Sequence, residues 1–297
     1  MCVLASMALA VVLLYLATLF VAVPVSGQRA ASVTLVGAGD IASCSHTADS
    51  ATARLLGRIG GTVYTLGDNV YPNGTTTQFR ECYRPTWGKY KKRTKPTPGN
   101  HDYNTAGASG YFEYFGARAG RPARGYYSYR RGSWHIVALN SNCEKIGGCG
   151  RRSAQERWLR RDLASHPSRC TLAYFHHPLY ATGTGTPTPQ VKPLWTMLYS
   201  RGADVILSGH AHRYERYRPI TPEGKIDTTN GIRQFVVGTG GEPGGSEIHL
   251  GQAPGLQVVK IGTPGVLKLN LAAGSYSWKF VPIAGKSFTD SGSDSCH

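Results

Sequence analysis

Short apolar runs, each ending in glycine and a polar side chain, recur through the first part of the chain. Residues 33–36 form one such run and lead into Gly37-Ala38-Gly39-Asp40. An apolar run of that length bounded by glycine predicts a buried strand that delivers Asp40 at its carboxyl end. Residues 48–59 have helical spacing, with Ala51, Leu55 and Ile59 on one face. Residues 63–66 predict a second buried strand, followed by Gly67-Asp68. Strand, helix and strand at this spacing make a βαβ unit, and therefore a parallel sheet.

The pattern continues downstream. Thr97-Pro98-Gly99-Asn100-His101-Asp102 is a loop after a basic, aromatic stretch. Residues 126–130 and 135–140 flank Arg131-Gly132-Ser133 and predict a hairpin. A helix is predicted over 153–165, where Ser153 can cap, Glu156 follows three residues on, and Trp158, Leu159 and Leu163 share a face. Residues 170–175 read as a strand ending at His176-His177, 191–200 as a helix, and 205–207 as a strand ending at Gly209-His210-Ala211-His212. The remainder reads as β, over 234–237, 256–261, 266–271 and 276–281, before a short Ser/Asp/Gly tail. With no repeat and no clear linker, residues 29–297 read as one domain, mixed α/β first and then mostly strands.

Composition narrows the class. With 41% hydrophobic and 17% charged residues, and 37 Gly, the chain is neither a coiled coil nor an acidic disordered segment. Lys and Arg number 33 against 17 Asp and Glu, a formal charge of +16, which favours anionic partners: phosphate compounds, nucleic acid or an acidic envelope polymer. The first charged side chain is Arg29, after an almost wholly apolar stretch over 3–25. This predicts a signal peptide over 1–28, with an uncleaved membrane anchor as the alternative, and a secreted or extracytoplasmic protein with no membrane span beyond it. Beyond Cys2 lie Cys44, Cys82, Cys143, Cys149, Cys170 and Cys296. An even count in an exported chain predicts three disulfides. Cys143 and Cys149 flank a Gly-containing loop and are expected to pair; the other pairings stay open.

Four polar clusters occupy the same position relative to a strand. Asp40, Asp68, His176 and the pair His210/His212 each follow an apolar run, and ligands of α/β sheets gather at strand carboxyl ends. Asn100-His101 joins them from a loop. Each residue alone reads as a helix cap or a loop histidine, and the order of all five clusters is what points to a site. Asp, Asn and His donors suit borderline divalent or trivalent metals better than calcium. They exceed the needs of one ion, which suggests two metal ions sharing a bridging carboxylate.

Gly39-Asp40, Gly67-Asp68-Asn69-Val70-Tyr71, Gly99-Asn100-His101-Asp102, His176 and Gly209-His210-Ala211-His212 resemble the five motifs of the calcineurin-like metallophosphoesterases, over residues 33–240. The resemblance implies an α/β fold, a β-sandwich of mixed sheets flanked by helices. Many members carry a His two residues after the first Asp; here Ala42 stands there and cannot ligate. Asp68-x-x-Tyr71 instead resembles the purple acid phosphatase branch, in which a tyrosinate replaces that imidazole. A phenolate stabilises a trivalent ion better than a neutral imidazole does. The implied cofactors are therefore Fe(III) in the first site and Fe(II), Zn or Mn in the second. The implied ligands are Asp40, Asp68, Tyr71 and His212 for the first ion, and Asp68, Asn100, His176 and His210 for the second, with Asp68 bridging.

The activity implied by the resemblance is acid phosphatase-like hydrolysis of phosphomonoesters, small phosphorylated molecules, by attack of a metal-bound hydroxide. His101, with Asp102 as orienter, would protonate the leaving group, and His177 would line the pocket. Members of this branch often carry a further His downstream of the His176 equivalent; the matching positions here are Gly185 and Thr186. Arg213, Arg216 and Arg218 read either as bidentate phosphate ligands or as solvated surface charge. The loop over 238–245 reads as an edge of the pocket without a catalytic role. Two further readings stand beside the phosphatase: a phosphodiesterase or nucleotidase of the same superfamily, and a non-catalytic cell-surface protein that binds polyanions. No specific nucleic-acid ligand is expected.

Overall fold

The βαβ start predicted from the sequence is the seed of the architecture. In the computed structural model, which describes residues 32–183, 187–244 and 252–297, the chain begins with β1 (Val33–Ala38), α1 (Ala48–Arg58) and β2 (Thr62–Thr65). It continues through α2 (Thr76–Gln78), β3 (Thr94–Lys95), α3 (Ser109–Phe115), β4 (Tyr127–Arg131), β5 (Trp134–Ala138), α4 (Ala154–Ser165) and β6 (Cys170–Tyr174). Then follow α5 (Lys192–Tyr199), β7 (Val205–Ser208), β8 (Arg213–Ile220), β9 (Ile232–Val237), β10 (Leu256–Ile261), β11 (Gly265–Ala272), β12 (Ser275–Pro282) and β13 (Ser291–Ser295). The leader expected over 1–28, and Gly185, Thr186 and Gly245, lie outside the described residues.

Two mixed sheets result. One has the order β13-β12-β11-β1-β2-β3, the other β10-β8-β9-β7-β6-β5-β4. β1, β2 and β3 are parallel, as are β5, β6, β7 and β9, so the strands that carry the motifs point their carboxyl ends the same way within each sheet. Alternation along β6 shows how the second sheet is covered. Leu172 and Tyr174 face a core shared with Leu35, Tyr64, Leu267 and Leu269 of the first sheet. Ala173 and Phe175 face Leu159 and Leu163 of α4 and Leu194, Trp195 and Leu198 of α5. Burial on both faces explains why these strands read as continuous apolar runs. Ser153 caps α4 as expected, accepting from the Glu156 amide at 3.2 Å. Among the described residues no helix is long and apolar enough to cross a membrane.

The elements that the apolar pattern did not predict are the charged and the small-residue ones. β8 carries Arg213, Glu215 and Arg216, yet Tyr214, Glu215 and Tyr217 are fully buried. Its charges are paired inside the fold: Arg213 Nε donates to Glu215 at 2.6 Å, and Arg216 Nε to Asp290 at 2.7 Å. β13 forms from the Ser/Asp/Gly tail because β12 offers it an antiparallel edge. Between β2 and β3, α2 and the following turn pack with α3 through the rings of Phe79, Tyr83, Tyr114 and Phe115, at centroid distances of 5.0–5.8 Å. Three disulfides join Cys44 to Cys82, Cys143 to Cys149, and Cys170 to Cys296.

Candidate metal centre

Strand ends set the positions, and the backbone there is bent to aim the side chains. Asp40, Asp68 and His210 all adopt positive φ, at 60°, 47° and 69°. Non-glycine residues rarely occupy this region, and such strain persists only where surrounding bonds over-determine it. Here they do. Asp40 Oδ2 accepts from the His210 amide at 2.9 Å, and Asp68 Oδ1 accepts from the His101 amide at 2.8 Å. Each carboxylate thus spends one oxygen on a backbone N–H from another motif and leaves the other for the interior of the site. The motif glycines admit this approach. A Cβ at Gly99 would stand 2.1 Å from Asp68 Oδ1, and one at Gly67 would stand 2.6 Å from His176 Nδ1.

The remaining donor atoms fall into two groups that meet at one oxygen. Tyr71 Oη lies 3.0 Å from Asp40 Oδ1, 3.0 Å from Asp68 Oδ2 and 3.1 Å from His212 Nε2. On the other side, Asn100 Oδ1 lies 2.9 Å from His176 Nε2 and 3.1 Å from His210 Nδ1, and the two imidazole nitrogens are 3.3 Å apart. Asp68 Oδ2 touches this group too, at 3.3 Å from His176 Nε2. Backbone carbonyls fix two of the rings: His176 Nδ1 is 2.7 Å from Leu66 O, and His212 Nδ1 is 2.9 Å from Pro243 O. When either ring is neutral, its proton is thereby held on the outer nitrogen, and the inner one presents its lone pair.

Electrostatics inside the cluster are strained. Burial, followed by Asp40 and Asp68, pushes the Tyr71 phenol well above its ordinary value. Burial would raise the Asp68 carboxyl, but His176 and, less strongly, His101 hold it below the usual carboxylate range. Burial also opposes the charge on His176 and His212, yet their carboxylate partners carry both up to about 9. His210 is lowered to about 4 by burial and by its neighbour His176. One phenolic proton cannot serve two carboxylates and an imidazole at once, and a cation at their common point would satisfy all of them. By the chemistry of its donors the cluster therefore fits metal ions. Hard anionic oxygens dominate one side, and an amide oxygen with two imidazoles the other.

All seven residues expected as ligands come together here. His177 sits beside them, its ring 4.6 Å from that of His210, and its backbone N–H donates to Ser141 Oγ at 2.9 Å. Ser141 Oγ is also 2.9 Å from His177 Nδ1, so the hydroxyl has its own proton left for that nitrogen. Burial and the neighbouring His176 and His210 lower His177 well below its ordinary value, so it stays neutral.

Asp102 requires a correction. Its carboxylate does not orient His101: Oδ2 accepts from the Gly99 amide at 2.8 Å and from the backbone and side-chain nitrogens of Asn69 at 3.2 and 2.9 Å. Burial, followed by Asp68, raises Asp102 to about 7, and its role is to brace the loop. The His101 ring is placed instead by Pro72 O, 2.7 Å from Nδ1, and by the Tyr71 ring at a centroid distance of 4.4 Å. Arg213 and Arg216 are paired with Glu215 and Asp290 rather than left as solvated surface charge. Ser141, and the carbonyls of Leu66, Pro72 and Pro243, were not found from the sequence. Every residue has a carbonyl, so no side-chain pattern marks one that orients a ligand.

The family model described as calcineurin-like phosphoesterase matches residues 38–214. Purple acid phosphatase 15 of Arabidopsis thaliana is 25% identical over 300 residues, covering 89% of this chain and 54% of that protein. A purple acid phosphatase from yellow lupin (Lupinus luteus) seeds has the same fold, with a TM-score of 0.66 at 18% identity over 90% of this chain and 54% of that one. So does a Plasmodium protein described as the anchor in the inner membrane complex, with a TM-score of 0.64 at 13% identity over 88% of each chain. The chain spans about half the length of the curated relatives it matches.

Proposed function

The chain belongs to the calcineurin-like phosphoesterase family, and on that premise we propose that it is an exported purple acid phosphatase-like enzyme that hydrolyses phosphomonoesters at a binuclear centre. One observation carries the reading. Asp68 Oδ2 stands between a phenol-and-carboxylate group and an amide-and-imidazole group, 3.0 Å from Tyr71 Oη and 3.3 Å from His176 Nε2. Asp40, Asp68, Tyr71 and His212 would hold the first ion, Fe(III). Asp68, Asn100, His176 and His210 would hold the second, Fe(II), Zn or Mn. Two such ions lower the pKa of water and neutralise charge on phosphoryl oxygens.

The protein's own groups do the rest. Asn100, His177 and Ser141 line a pocket of about 220 Å³ beside the second group, with Lys145 and Gln190, and this is where the leaving group would lie. His101 is partly exposed at the rim. With Nδ1 donating to the Pro72 carbonyl, a proton on Nε2 is the one it can pass to a departing alkoxide. Neutral His177, kept in the Nε2–H form by Ser141, can donate a hydrogen bond but carries no proton to release. Three disulfides support an oxidising, extracytoplasmic location.

The test is turnover of nitrophenyl phosphate and bis-nitrophenyl phosphate by metal-loaded protein. A faster monoester rate is expected. A faster diester rate would make the chain a diesterase of the same family, and no turnover of either would reduce it to an anion-binding protein.

A further inference from the structure

A second cluster of side chains of the types that bind metals lies at the opposite end of the sheet. His135 is the second residue of β5, near the amino end of the strand pair β5–β6, where it faces Thr171 in the register; the main centre gathers at the carboxyl ends. Asp162 and His166 are one turn apart at the carboxyl end of α4, and so share a face. One donor atom from each of the three residues lies within 4.8 Å of the others. His135 is 1% exposed, and neither of its ring nitrogens has a hydrogen-bond partner; Asp162 Oδ2 has none either. Yet His135 Nε2 and Asp162 Oδ2 are 3.0 Å apart. The pair has the length of a hydrogen bond without its direction, as expected when two donors share a third partner rather than a proton.

The rest of the cluster fits that reading. Ser128 Oγ donates to Asp162 Oδ1 at 2.7 Å, which fixes the carboxylate and leaves Oδ2 turned to His135. His166 Nδ1 stands 3.2 Å from Asp162 Oδ1 and 2.9 Å from the Asp162 carbonyl, and its ring is 5.2 Å from that of His135. The His166 side chain is 45% exposed, so its ring can turn and an ion can enter from solvent. Two imidazoles and one carboxylate, with one side open, match the tetrahedral preference of zinc and of similar borderline divalent cations.

We propose that His135, Asp162 and His166 form a separate site for one borderline divalent cation such as Zn²⁺, which ties the carboxyl end of α4 to β5. It shares no residue with the main centre and does not depend on the phosphatase reading.

The test titrates the metal-stripped full-length chain with Zn²⁺ against a chromophoric chelator, in the Asp68→Asn background with and without His166→Ala. One Zn²⁺ equivalent should disappear with His166, while circular dichroism stays unchanged. Reading the difference within one background makes it independent of how many ions the main centre keeps. Equal Zn²⁺ content in the two chains overturns the proposal and leaves His135 and Asp162 as a plain buried ion pair. A second measurement covers a variant that fails to fold. In the unsubstituted chain the ring resonances of both His135 and His166 must move with Zn²⁺, and resonances that stay in place overturn the proposal equally.

Discussion

Around Tyr71 the centre presents a phenol whose oxygen is 3.0 Å from each of two carboxylates, closed by His212. Around Asn100 it presents an amide oxygen and two imidazoles. Both halves are partly buried, but they resist burial differently. The first collects a phenol and carboxylate oxygens, held together without an ion by one phenolic proton and by His212. The second collects neutral donors, of which only His176 draws charge, and that from Asp68. The difference teaches how one preorganised pocket would sort ions of unlike charge: the number of oxygens that can turn anionic on each side would decide it, without any change of scaffold.

Removing the oxygen the halves share should have the largest effect. Asp68→Asn is expected to lose metal and activity together, with turnover down on the order of 10³-fold or more. A variant that still holds two ions per chain, by elemental analysis, would separate the halves and remove the bridge. His101→Ala acts at the rim of the Tyr71 half. It should keep both ions and lower kcat by roughly 10²–10⁴, with a smaller loss for a nitrophenol leaving group than for an alkyl one. An equal loss for both would refute its role as acid.

Tyr71→Phe sharpens the contrast in charge, because it deletes one anionic oxygen from the first half and leaves the second intact. Iron-loaded, oxidised protein should show a visible phenolate-to-iron band, and this variant should be colourless with its fold unchanged. An unaltered band would mean that Tyr71 is not a ligand.

The smallest effect is on the metal-stripped chain. His176 and His212 have folded values near 9 against 6.5 for an ordinary imidazole. Groups raised in this way stabilise the fold fully below pH 6.5, and that contribution is lost as pH rises through 9. Thermal melts in chelator should therefore fall between pH 6.5 and 9. Metal-loaded protein should not follow them, since the ions occupy the same lone pairs. A flat apo profile would count against both ion pairs.

The sequence made the main site legible because its residues follow buried parallel strands, where apolar runs end abruptly in glycine and a ligand. Asp40, Asp68 and His210 follow that rule, and His176 follows an apolar run without the glycine. Asp102 did not, because a carboxylate next to His101 in sequence need not face it in space. Here it turns inward to Asn69 and Gly99. β8 was hidden because its charges are satisfied inside the fold: Arg213 pairs with Glu215 on the same strand, and Arg216 with Asp290, 74 residues away. The pairing of Cys143 with Cys149 was readable from a spacing of 6, whereas that of Cys170 with Cys296, 126 residues apart, depends on the finished sandwich.

That last bond has a topological consequence. It fastens Cys296, just beyond β13 on the edge of one sheet, to the start of β6 inside the other, and so closes a covalent ring. His176, His210 and His212 lie on the ring, while Asp40, Asp68, Tyr71 and Asn100 precede it on the same strand of polypeptide. A single peptide cut anywhere within the ring therefore yields no separate fragment. The nicked molecule keeps every donor of the centre in one covalent piece, and the break shows on a gel only after a thiol has opened the ring.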